Sequence, residues 1–292
     1  MPGSVASSHV AVEAAGLPVQ VIAPASGWVP IRLRELLEYR ELLYFLIWRE
    51  VKIRYKQAAL GVAWAVLQPV LTMVIFSVVF GRFAAMPSDG LPYPIFAYCA
   101  LLPWQLFTFS LTESSASVVA NQRLITKVYF PRLMLPIAAV GVGLLDFAIS
   151  FVVLLCLIAF YGVYDGVTIG AGIWTVPLWA LLTVMTALGV GFWLSALNVK
   201  YRDIRYTLPF LAQLWFFATP VVYPTSIVPD AWRPLFALNP MVGVVDGFRW
   251  ALLGSTAGPD ATVMISIGAV LVILVGGLFY FRRMERTFAD VI

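Results

Sequence analysis

Very few side chains in this sequence can do chemistry. The single histidine is His9. Its isolation removes most general-base, triad and zinc chemistry. Cys99 and Cys156 both sit in apolar stretches, where they report nothing of redox compartment and make no metal site. None of the four lysines, Lys52, Lys56, Lys127 and Lys200, follows a glycine, so there is no phosphate-cradling Gly-x-x-x-x-Gly-Lys-Ser/Thr loop. What remains is a cation cluster, Arg49, Lys52, Arg54 and Lys56, and two acids in apolar surroundings, Glu113 and Asp146. Acids at membrane depth are functional candidates by default. Asp146 falls near mid-span, where no basic residue is expected at equal depth, so hydroxyls or a proton would satisfy it. Two isolated acids make a poor proton relay.

The composition is what puts those acids at depth. The chain has 292 residues, 61% of them apolar and only 12% charged. Its mean hydropathy is +0.91. Soluble domains are roughly half apolar and a quarter charged. A chain this apolar cannot cover a soluble surface, which excludes a soluble enzyme, a disordered chain and a disulfide scaffold. An integral membrane protein is left. The net charge of +4 is then read through membrane topology rather than nucleic-acid binding.

The expected fold is all-α and integral to the membrane. Residues 1–31 mix Ala, Val, Pro, Ser and Gly around one charge, Glu13, and lack the basic start of a secretory signal. They are expected as a flexible cytoplasmic tail. Residues 32–57 read as an amphipathic interface helix. Leu36, Leu43, Ile47, Val51 and Tyr55 fall on one side, and Glu38, Glu41, Arg49, Lys52 and Lys56 on the other. Arg40, Glu50 and Arg54 interrupt the apolar side. A basic helix with Trp, Leu and Phe reads as lying along the membrane surface.

Residues 58–284 divide into stretches near the roughly 20 apolar residues that a crossing needs. Six spans are expected, at about 58–81, 94–118, 133–161, 174–198, 207–223 and 261–281. Residues 285–292 form the other terminal end. Basic residues test this division. Seven precede the first span: Arg32, Arg34, Arg40, Arg49, Lys52, Arg54 and Lys56. Three more fall on the same side in each of Arg123–Arg132, Lys200–Arg205 and Arg282–Arg286. Only Arg82, Arg233 and Arg249 fall opposite, a split of 16 to 3. The positive-inside rule then puts both termini in the cytoplasm.

Two loops are unusual. Between spans five and six, Pro224, Pro229, Pro234 and Pro240 separate apolar pieces. Asn239-Pro240 is a helix start, with Asn as cap and Pro in the first position. A short re-entrant hairpin on the outer side is expected at about 228–254, bordering a pathway or forming a packed cap. The second loop, Asn121–Arg132, is short, basic and amphipathic, with Pro131 as breaker. It is either an ordinary basic loop or a docking element. Aromatics are also spread through depth: Trp64, Phe76 and Phe80 on the first span, Trp215, Phe216 and Phe217 on the fifth. Aromatic faces stack on the C–H faces of sugars with little demand on hydrogen-bond geometry, which suits a sliding polymer. Core and lipid-facing roles fit the same residues.

Several segments together resemble one family. Glu41–Gln57 followed by Leu60–Pro69 is similar to the interface helix and first span of type-2 ABC exporter permeases, in the branch exporting O-antigen, capsule or teichoic-acid polysaccharide. Asn198–Ile204 resembles the loop after that family's fourth span. Ala218–Pro224 and Asn239–Met241 resemble its fifth-span end and outer hairpin. The resemblance covers about residues 35–285. It implies a homodimer served by two copies of a separate nucleotide-binding ATPase, with ATP and Mg on that partner and no cofactor in this chain. It implies an undecaprenyl pyrophosphate-linked polysaccharide as substrate, no nucleic acid, and a multi-pass place in the bacterial inner membrane. Trp64, Phe76, Phe80, Trp215, Phe216 and Phe217 would line the channel. Arg49, Lys52, Arg54 and Lys56 would meet the lipid pyrophosphate. Arg123, Leu124, Lys127, Tyr129, Phe130 and Arg132 would couple to the ATPase. The competing readings are a membrane-embedded glycan- or acyl-transferring enzyme, a type-2 permease for another substrate, and an ion or small-solute channel. The enzyme would want a histidine or clustered acids, and the channel would want charge rings or a carbonyl filter.

Overall fold

The computed structural model describes residues 33–56, 62–254 and 261–288. The expected tail at 1–31 and the terminal residues 289–292 lie outside them. Every regular element among the described residues is helical. In chain order these are α1 (Leu33–Glu38), α2 (Arg40–Lys56), α3 (Val62–Phe76), α4 (Tyr93–Ala120), α5 (Gln122–Ile125), α6 (Met134–Asp165), α7 (Val176–Lys200), α8 (Ile204–Phe217), α9 (Arg233–Phe236), α10 (Pro240–Leu253) and α11 (Ala261–Met284). In an apolar medium only helices and closed barrels satisfy the backbone within themselves, and this chain takes the helical route. Hydroxyls inside the apolar helices follow the same logic. Thr183 and Thr186 donate back to the carbonyls of Trp179 and Leu182, one turn earlier.

Among the described residues, five helices are long and apolar enough to cross a membrane: Ala63–Phe83, Tyr93–Ala120, Met134–Asp165, Ile173–Lys200 and Ala261–Met284. The first of them includes a π-helical stretch, Ser77–Phe83, that continues α3. The expected fifth span is different. Its helix, α8, holds 14 residues, or about 21 Å. Residues 218–224 are turns rather than helix. Pro220 and Pro224 are the cause: each lacks an N–H, and each ring would strike the carbonyl four residues earlier.

α4 is the centre of the bundle. It buries Ile95, Tyr98, Leu102, Phe107 and Leu111 against α6, α7 and α10. α7 packs on α11 through two glycines. A Cβ on Gly277 would lie 2.1 Å from the Gly189 carbonyl oxygen, so the two backbones touch. Such close approach is how helices associate where solvent provides no apolar driving force. α3 and α8 stay largely uncovered, with Trp64, Leu71, Ile75, Phe210, Leu214 and Phe217 exposed.

Two expectations need correction. The interface helix is not continuous. It turns at Tyr39 between α1 and α2, and the Leu43 N–H still reaches the Tyr39 carbonyl at 3.1 Å. The segment expected as an outer hairpin has unequal limbs. Its first limb is two 3-10 turns and the four-residue α9, since Pro229 and Pro234 allow no longer helix. Its second limb, α10, is a buried 14-residue helix. Asn239 caps α10 as its sequence promises, accepting the Met241 N–H at 3.1 Å.

Candidate functional site

The site is assembled where α2 docks on α6. Leu46 is buried there, with Leu43 and Ile47 beside it. Gly141 of α6 permits the contact: a Cβ at this position would lie 2.7 Å from the Ile47 side chain. Further along both helices, Arg54 Nη2 reaches Asp146 Oδ2 at 2.7 Å. The Tyr55 hydroxyl donates to the other Asp146 oxygen. The contacts advance together along the two helices, so α2 slants along α6 as it runs towards Lys56. Asp146 therefore has a cationic partner, against expectation. The charge comes from a different element, which a depth count along the spans does not register.

Arg54 also lies 4.4 Å from the centroid of the Phe109 ring. Arg49 Nη2 donates to Glu50 and, at 2.6 Å, to Asn121 Oδ1. Burial pushes the Tyr55 phenol up to about 12, and the Asp146 carboxylate adds to the effect. Two cavities flank Arg54. One of about 290 Å³ lies between α3, α4 and α6 and is lined by Gln68, Gln105, Thr112, Glu113, Asp146 and Ser150 among others. The second, about 280 Å³, lies between α2, α4 and α6 and is lined by Arg49, Glu50, Glu113, Ser117 and Asn121. Glu113 faces both, near Arg54 and Glu50. Among the described residues no group of three or more His, Cys, Asp or Glu could hold a metal. What the arrangement can do is hold and release polar or charged groups beside an apolar bundle.

The expected pyrophosphate set divides in two. Arg49 and Arg54 point inward to Asn121 and Asp146. Lys52 and Lys56 lie on the uncovered face of α2 with Phe45, Trp48 and Ile53, and Lys52 Nζ is 5.4 Å from the Trp48 ring. The expected channel aromatics also divide. Phe76 of α3 and Phe216 of α8 meet at 5.7 Å between centroids. Phe80 stands edge-on to Phe76, and Phe217 edge-on to Phe216. Trp215 turns into the bundle, against Phe107, and donates to Asn239 Oδ1 at 2.8 Å. Trp64 is exposed.

The expected coupling residues fall on both sides of the loop 121–132. Arg123, Lys127, Val128 and Tyr129 are exposed, Tyr129 at 85%. Leu124 is half-buried, and Phe130 is buried in the cluster formed with Leu46, Ile125, Leu133 and Phe288. Arg132 is engaged elsewhere. Its backbone N–H donates to Glu285 Oε1 at 3.1 Å and its Nη1 to the Glu285 carbonyl at 2.5 Å. Sequence reasoning passed over Asn121, Arg249 and Glu285, whose partners include groups far away in sequence, and gave Asn239 only its capping role. One signal was present for Arg54, namely a cation interrupting an apolar helix face.

Comparison with known proteins agrees with this architecture. Residues 41–253 match the family model described as ABC-2 type transporter. An O-antigen export system permease protein RfbA of Myxococcus xanthus is 35% identical over 265 residues, covering 87% of this chain and 98% of that protein. A protein of the same description from Klebsiella pneumoniae is 27% identical, over 86% of this chain and 95% of its own. The polysialic acid transport protein KpsM of Escherichia coli is 23% identical, over 82% and 92%. The matched region runs from the docking helix α2 to the end of the buried α10, and the chain belongs to the ABC-2 type transporter membrane family.

Proposed function

We propose that this chain is the membrane permease of an ATP-driven exporter that moves a lipid-linked polysaccharide, O-antigen or a similar polymer, out of the cytoplasm. The observation that carries this reading is the similarity to the Myxococcus xanthus permease along 98% of that protein's length. The membrane would be the bacterial inner membrane, with both termini cytoplasmic. Six crossings are proposed, with α8 and residues 218–223 together making the fifth. A short helix completed by irregular chain still traverses the core if protein covers the irregular part.

One chain offers half a pathway. Its uncovered α3 and α8 would face those of a second copy, with Phe76, Phe80, Phe216 and Phe217 near the sugar and Trp215 behind them. Stacking on aromatic faces accepts different sugars in succession, as a polymer in transit demands. ATP and Mg would bind a separate ATPase, in two copies. Its movement would enter through Arg123, Lys127, Val128 and Tyr129, with Leu124, Phe130 and Arg132 holding the loop from beneath. The carrier pyrophosphate would meet Lys52 and Lys56 first. Arg49 and Arg54 reach it only by leaving Asn121 and Asp146, and arginine can grip phosphate oxygens in pairs. The test is deletion with complementation. Cells lacking this chain should accumulate lipid-linked polymer on the cytoplasmic face and lose it from the surface, and the restored chain should reverse both. Undiminished surface polymer in the deletion strain would overturn the proposal.

A further inference from the structure

The irregular stretch after α8 carries an accounting problem, and the answer is in α10. From Thr219 to Pro224 the chain lies within the bundle, with Thr219, Pro220, Val221, Val222 and Pro224 buried. Turns leave backbone carbonyls without the ladder partners of a helix, and buried carbonyls must find donors. Here side chains supply them. Asn239 Nδ2 donates to the Ala218 carbonyl at 3.0 Å. Arg249 Nη2 donates to the Val221 carbonyl at 2.9 Å, and its Nη1 to that of Tyr223 at 3.4 Å. The Tyr93 hydroxyl donates to the Val222 carbonyl at 2.7 Å. Just beyond, the Thr225 hydroxyl donates to Asp246. Asn239, Asp246 and Arg249 are spaced by seven and three, so they form one polar stripe on an otherwise apolar helix. Arg249 is 2% exposed and its guanidinium carbon lies 3.6 Å from the centroid of the Phe96 ring. A fully buried arginine is costly in a membrane protein and marks function by default. Its Nη1 and Nη2 are spent here on backbone that a proline pair has prevented from folding as helix.

We propose that Arg249 is a positioning residue for transport: with Asn239 and Tyr93 it replaces the missing helical bonds of residues 218–223 and fixes the outer part of the fifth crossing beside the pathway. The inference rests on the transporter reading for its consequence, but its geometry does not depend on what is carried. Loss of the guanidinium frees the carbonyls of Val221 and Tyr223, and the stretch leaves the bundle. The outer mouth then loses its shape while the ATPase-facing end of the protein is untouched.

The experiment uses the permease with its ATPase in nanodiscs, with Cys156→Ala and a reporter Val222→Cys; Cys99 is fully buried. A membrane-impermeant maleimide should label the reporter slowly in the parent and at least tenfold faster with Arg249→Met. Arg249→Lys, able to serve one carbonyl, should fall between. Polymer exported per ATP hydrolysed should drop about tenfold with Arg249→Met and recover in part with Arg249→Lys, a graded rescue that mere loss of packing does not produce. A labelling rate within twofold of the parent in monodisperse Arg249→Met protein overturns the inference. If that variant is not monodisperse, Tyr93→Phe removes one donor without emptying space, and unchanged labelling there overturns it equally. Labelling needs no polymer, so failure of the export reading and failure of this one are read separately.

Discussion

The Arg54–Asp146 pair sets how firmly α2 is attached, and the structure bounds its strength. The contact is 2.7 Å long, with side-chain exposures of 37% for Arg54 and 19% for Asp146. Exposed pairs contribute about 0.2–1 kcal/mol. Removing one partner of a fully buried pair costs about 3–5 kcal/mol. This pair lies between those limits, and Asp146 also accepts the Tyr55 hydroxyl, so Asp146→Asn should cost about 2 kcal/mol, or roughly thirtyfold in the docking equilibrium. The assay is a double-mutant cycle with Arg54→Met and Asp146→Leu, followed by thermal unfolding of the purified protein. The two changes should couple by about 1–2 kcal/mol. Raising salt should weaken the coupling only modestly, because partly buried charges are poorly screened. Additivity within about 0.3 kcal/mol would refute the reasoning: the pair would then be an exposed contact that the α2–α6 packing tolerates without needing.

Three further outcomes follow from the same geometry. The Tyr55 phenol is raised to about 12 in the docked state, against about 10 when free. Its contribution should be complete below the lower value and vanish as pH rises through the higher one, and Tyr55→Phe should remove that slope from a series of alkaline melts. Gly277→Leu must push α11 off the Gly189 carbonyl and should cost about 3 kcal/mol, the upper end of what overpacking typically costs. Gly268→Ala on the same helix meets nothing within 4 Å and should leave the melting temperature unchanged or slightly higher, so equal losses would discredit the packing account. Tyr129→Ala should melt like the parent yet recover less ATPase on co-purification. Phe130→Ala should cost about 3–5 kcal/mol, and the reverse ranking would mean that the loop is oriented the other way.

The long helices were legible because span length is a one-dimensional property. An uncharged apolar run of sufficient length has few other fates, and the helices from Tyr93, Met134 and Ala261 begin within a residue of the expected boundaries. The start of α10 was legible for a local reason too, since Asn239 and Pro240 satisfy a helix end without distant help. Within the expected fifth span the end of the helix was not legible by the same logic. Hydropathy continues through Val221 and Val222 while Pro220 and Pro224 break the backbone, and a window of apolar residues does not register a missing N–H. The surroundings of Asp146 and Phe130 were not legible because they come from remote chain. Arg54 is 92 positions from Asp146, and Phe288 closes the cluster over Phe130 from the far end of the sequence. A 12-residue loop with one four-residue helix has no period long enough to say which side faces in.

The arrangement of these long-range contacts bears on how movement would pass through the molecule. Loop 121–132 is continuous with α4 and α6, so a push on Tyr129 reaches those helices directly. α3 has no such continuity with the loop. It packs on α4 and α6 along one side. Ser150 donates to the Ala65 carbonyl at 2.9 Å, and Pro69 and Met73 are its buried residues. The element that precedes α3 is α2, and α2 is gripped twice: by Asn121 at the start of the loop and by Asp146 on α6. Glu285 holds the loop's other end through Arg132. α2 therefore joins the loop to the helix that carries Phe76 and Phe80. On the export reading, loosening Arg54 from Asp146 should impair transport through α3. On that reading Asp146, held by Arg54 and Tyr55, would anchor a lever rather than carry a proton.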